Sequence, residues 1–67
     1  MTNNNLHNLM TQITQEQKSL WRIEKHYIEE AGSDDEKALW EKMRKDKKQH
    51  IEDFKELIKK ALEVFFD

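Results

Sequence analysis

The 67-residue chain has no cysteine, no proline and a single glycine, Gly32. Without cysteine there is no disulfide and no thiolate metal site, and the sequence encodes no redox compartment. Without proline, nothing breaks a helix from within. One glycine excludes a glycine-rich phosphate loop. No apolar run approaches membrane-spanning length, so no membrane association is expected. Charge of one sign is missing too. Charged residues are 39% of the chain, yet the formal net charge is only −2, which lacks the positive field of a nucleic-acid binder. The opening MTNNNLHNLM has no basic flank followed by a long apolar stretch. No signal peptide is therefore expected, and a cytoplasmic location is the default.

What is present is helical punctuation and helical periodicity. The stretch AGSDDE divides the chain. Gly32 is suited to the left-handed conformation that closes a helix. Ser33 followed by Glu36 reads as a capping box, and Asp34 and Asp35 suit the positive end of a new helix. The expectation is one all-α domain over 1–67: helix 1 about 5–31 with Asn4 or Asn5 as N-cap, a turn at 32–34, and helix 2 about 34–66. So short a turn predicts an antiparallel two-helix hairpin.

The helix 1 seam reads Leu6, Met10, Ile13, Gln17, Leu20, Glu24, Tyr27 and Ala31, widened by Leu9, Trp21, Ile23 and Ile28. That of helix 2 reads Trp40, Met43, Lys47, His50, Phe54, Leu57, Ala61 and Val64, widened by Leu39, Ile51, Ile58 and Phe65. Two helices share only one contact line, so wider apolar faces need further helices to cover them. A core this small also needs outside support, and disulfides are excluded. The prediction is a homodimer or larger assembly in which hairpins pair into a four-helix bundle. Its interface is expected at Leu9, Trp21, Ile51, Ile58, Val64, Phe65 and Phe66; a further protein partner stays open.

Folding about the turn sets residues opposite one another whose numbers sum to roughly 66–67, from equal rise along both helices. Gln17 then faces His50, with Glu16 adjacent, and Lys47 lies between Leu20 and Glu24. A polar layer of Gln17, Glu24, Lys47 and His50, with Glu16 and Asp46 at its edges, is expected to cross the apolar interface. Lys47 is expected to hold Glu24 or Glu16, and His50 to bond Gln17 or Glu16.

The stretch QEQKSLWRIEKHYIEEAGSDDEKALWEKMRKDKKQHIEDFKELIKKAL resembles a helical hairpin of the ferritin-like superfamily, the rubrerythrin type in particular. The resemblance rests on Tyr27 near the end of helix 1, the charged turn, and the His50-centred second helix running on into IEDFKELI. It implies a bundle of two hairpins enclosing a di-iron site, each giving a glutamate from its first helix and a Glu-x-x-His from its second. His50 matches the histidine. Lys47 stands at the glutamate position and Gln17 at that of the first-helix glutamate, with Glu16 one position away. A lysine ammonium offers no lone pair and repels a cation, so no cofactor is favoured; the lysine is read as taking the metal's electrostatic place. The alternative is a divergent divalent-metal or iron site drawn from Glu16, Glu24, Asp46, His50 and Asp53.

Other candidates read more plainly. His26 with Glu29 and Glu30, and His7, read as solvated helix faces. The five basic residues of KMRKDKKQ are spread around their helix. Trp21, Tyr27 and Trp40 read as core or as cover for a second subunit. No serine, threonine or lysine has a partner set for nucleophilic catalysis, so a non-enzymatic interaction and assembly module is expected.

Overall fold

The computed structural model describes residues 4–66, with side chains through Val64. Every described residue outside 31–33 is helical. The first helical stretch comprises α1 (Asn4–Arg22), a π-helical turn (Ile23–Tyr27) and α2 (Ile28–Glu30) without interruption. The second is α3 (Asp34–Phe66), 33 residues long. At 1.5 Å per residue α3 spans about 50 Å, which accounts for the 51 Å long axis of a rod 14 Å across in both other directions. Asn4 and Asn5, expected as caps, both lie within α1.

The joint is built by side chains reaching the backbone. Ser33 Oγ accepts from the Glu36 N–H at 3.1 Å, and the Glu36 carboxylate accepts from the Gly32 N–H at 3.0 Å. A first-turn amide donor of α3, that of Glu36, and the amide of Gly32 in the turn are thereby satisfied. Gly32 does not adopt the left-handed conformation expected of it; no described residue has positive φ. The first helix ends instead because Ala31 turns extended, at φ −58° and ψ 132°.

The π turn sets the inward register. The Ile28 N–H bonds to the Ile23 carbonyl, five residues back instead of four. Up to Ile23, the first residue of the turn, the side chains turned inward are Leu6, Leu9, Ile13, Glu16, Leu20 and Ile23, with Ser19 beside Leu20; after the turn they are Ile28 and Ala31. Steps of three and four are thus broken by one step of five. The extra residue rotates everything upstream by about 100° relative to an unbroken α-helix. Met10, Gln17 and Glu24, which an uninterrupted reading sets on the seam, are consequently exposed.

Contacts between the two helical stretches descend in opposite order: Tyr27 with Trp40, Glu24 with Arg44 and Lys48, Glu16 with Lys47 and His50. The Tyr27 and Trp40 rings, 4.9 Å apart, pack near the joint. Among the described residues buried apolar side chains are few: Ile23 is 1% exposed and Ile51 7%. Around them Leu20, Ile28, Trp40, Phe54 and Ile58 are half-buried. Met10, Trp21, Leu39, Leu57 and Val64 remain largely exposed. Among the described residues no helix is long and apolar enough to cross a membrane.

Candidate functional site

Midway along the rod, a carboxylate replaces an apolar side chain in the core. Glu16 is 6% exposed, the one buried charged residue among those described. It divides its two oxygens between two partners on α3. Lys47 Nζ donates to Oε2 at 2.5 Å, and His50 Nδ1 lies 2.8 Å from Oε1. Lys47 and His50 are one helical turn apart, so both side chains reach the same carboxylate from the same side of α3. The Lys47 side chain is mostly enclosed, while that of His50 is 51% exposed. No buried side-chain nitrogen or oxygen among the described residues lacks a partner.

The Lys47 hydrogen bond holds the Glu16 carboxyl below its ordinary value; burial opposes this shift, and the His50 contact adds to it. The rod is only two helices thick, so water lies close to the group on either side. That proximity limits the desolvation penalty and the Coulomb gain together.

A second charged cluster lies toward the joint. Glu24 Oε2 is 3.8 Å from Arg44 and 3.6 Å from Lys48, and Arg44 also contacts Glu41 at 3.3 Å. Glu24 is therefore separate from Lys47. Asp46 pairs with Lys42 at 3.9 Å, and Asp53 accepts from Gln49 at 2.9 Å. Four of the five basic residues of KMRKDKKQ, namely Lys42, Arg44, Lys47 and Lys48, thus face acidic partners. His26 packs edge-on against Trp21 at 5.2 Å, and His7 contacts Thr11 at 3.5 Å.

Of the residues read from the sequence as a polar layer, the structure brings Lys47 and His50 together on Glu16, the alternative partner expected for each. Gln17 is outside the layer, and Glu24 sits in a different cluster. The cause is the π turn, which moves Glu16 inward and Gln17 out. One signal for this was present: Leu6, Leu9, Ile13, Leu20 and Ile23 form a more apolar stripe than Leu6, Met10, Ile13 and Leu20. Of the residues expected at a subunit interface, Ile51 is buried by its own chain and Leu9 and Ile58 are half-buried, whereas Trp21 and Val64 are exposed. The side chains of Phe65 and Phe66 lie outside the described residues. Trp21 also lines an open groove of about 380 Å³ with Thr14, Gln17, Lys18 and Arg22, all on the first helix.

The donor chemistry does not fit a di-iron centre. Glu16 and His50 offer one carboxylate and one imidazole, and the third position holds an ammonium already bonded to that carboxylate. Among the described residues no three His, Asp or Glu side chains converge as a metal cluster. Compared with known proteins, the chain matches no family model, no curated protein and no solved structure.

Proposed function

We propose that this chain is a small, non-enzymatic self-assembly module. In this reading it is an antiparallel hairpin that completes its core by packing against another copy, giving a four-helix bundle of ferritin-like appearance. One observation carries the reading. Among the described residues the buried apolar side chains are Ile23 and Ile51 alone, while Met10, Trp21, Leu39, Leu57 and Val64 are about half exposed or more. Exposed apolar surface of this kind marks an interaction site, and so small a core needs a partner to be stable. The Glu16–Lys47–His50 layer then fixes register, because a slipped pairing strands a buried charge. In this reading the module works in the cytoplasm on itself, with a further protein partner left open and no role for membranes or nucleic acid. Light scattering on the wild type and on Leu57→Glu tests this. A dimeric or larger mass that falls to the monomer mass in the variant supports self-assembly; a monomeric wild type at micromolar concentration defeats it.

The second reading, a divergent divalent-metal protein, is favoured by the Glu16–His50 contact alone. It requires carboxylates from another copy and displacement of the Lys47 ammonium. Metal analysis of the purified protein decides it: stoichiometric iron or another divalent ion, lost in His50→Ala, would replace the first reading.

A further inference from the structure

The exposed side chains of the first helical stretch are not scattered. Among the described residues, its large apolar side chains left exposed are Met10, Trp21 and Tyr27. Gln17 and Glu24 are exposed with them. Met10, Gln17, Glu24 and Tyr27 follow at spacings of seven, seven and three, with Trp21 flanking. That is one face of an unbroken α-helix. The exposed stripe is therefore the inward face this helix would have without the π turn.

We infer that the first helix has two folded registers on α3, separated by the gain or loss of the π turn, and that the Glu16–Lys47 ion pair latches the observed one. In the second register the Ile28 N–H bonds to the Glu24 carbonyl instead of that of Ile23. Both arrangements satisfy the backbone, since α and π turns differ only in the carbonyl chosen. Residues upstream rotate by about 100° between them. Met10 and Trp21 then turn toward α3, while Leu9 and Ile23 turn away. Leu6, Ile13 and Leu20 lie between the two faces and touch α3 in both.

Two apolar side chains are thus exchanged for two, and the polar exchange is the unequal one. The observed register sets the Glu16 carboxylate between Lys47 and His50. The second sets the neutral Gln17 opposite His50 and takes Glu16 away from Lys47, whose side chain is mostly enclosed. Stripping an enclosed ammonium of its carboxylate costs more than losing a neutral contact. Interlocked side chains fit one register or the other, so the change is discrete. It alters the outward face of the helix, from Met10, Gln17 and Trp21 to Leu9, Glu16 and Ile23. This device goes beyond the self-assembly reading and does not depend on it.

Two reporters, made separately, read the two sides of the rotation. The chain has no cysteine, so Ile23→Cys gives a sole thiol; Trp40→Phe leaves Trp21 as the sole tryptophan. Ile23 is 1% exposed and Trp21 55%. With Glu16 and Gln17 intact, a soluble maleimide should react slowly with the thiol, and acrylamide should quench Trp21 readily. Glu16→Lys combined with Gln17→Leu favours the second register. It sets an ammonium against Lys47 in the observed register but turns it to water in the second, where Gln17→Leu points inward. The combined variant should keep its helical circular dichroism and invert both readings. The thiol should react several-fold faster, and Trp21 should be quenched several-fold less, with blue-shifted emission. A helical variant whose thiol stays protected overturns the inference, whatever Trp21 shows, because association between copies can enclose Trp21 but cannot expose position 23. A reactive thiol with Trp21 still fully quenched, the sign of a detached helix, overturns it too. So does loss of helix, since the second register is then not a folded state.

Discussion

Glu16 and Lys47 form the one buried ion pair described between the two helical stretches, with Nζ to Oε2 at 2.5 Å. Thirty-one positions separate them in sequence, so the pair locks the relative register of the helices. Removing one partner leaves the other charge enclosed and unmatched. Glu16→Ala should therefore destabilise the fold by about 1–3 kcal/mol, read from chemical denaturation. His50→Ala, with its half-exposed ring free to hydrate, should cost less than about 1 kcal/mol.

Replacing the pair together is a different experiment. Glu16→Leu combined with Lys47→Leu removes both charges and extends the apolar core. The double variant should melt no lower than the wild type, while Glu16→Leu alone melts lower. A double variant as unstable as the single one would show that the layer contributes to stability directly.

Acid should weaken the wild type through Glu16. Its folded-state value is depressed, so the carboxylate's contribution is fully present above the unfolded-state value and is lost as pH falls through the folded one. With an ordinary glutamate near 4.3, thermal midpoints should hold above about pH 5 and decline below about pH 4. Glu16→Gln should show a shallower decline over that range. Parallel acid profiles for the two proteins would remove Glu16 from the explanation.

The joint offers a test that touches no charge. Gly32 has no positive φ, and a Cβ placed there meets only the Glu36 carboxylate, at 3.6 Å or beyond. Gly32→Ala should thus stabilise the protein by about 0.4–1 kcal/mol, through reduced freedom of the unfolded chain. Ser33→Ala, which removes the hydroxyl accepting from Glu36 N–H, should cost about 1 kcal/mol. Denaturant titration of each variant gives both signs.

The helices and the joint were legible because their signals are local. Ser33, Asp34 and Glu36 act within one turn of backbone, and the apolar spacing extends over many residues. Two features were not legible. The π turn at Ile23–Tyr27 has no glycine or proline to mark it, yet its single extra residue decides that Glu16, and not Gln17, faces Lys47 and His50. The ending of the first helix was also misread. Gly32 suggested a left-handed cap, whereas an extended Ala31 and the Glu36 carboxylate do that work. Neither choice is set by residue type alone.

Completion of this fold by a second copy is open to direct test in thermal unfolding followed across protein concentration. Folding coupled to association makes the midpoint depend on concentration. For a self-assembling hairpin the midpoint should rise by several degrees for each tenfold increase in concentration, with a native mass of at least twice the 8.2 kDa chain. A midpoint unchanged over two decades of concentration, at monomer mass, would contradict it.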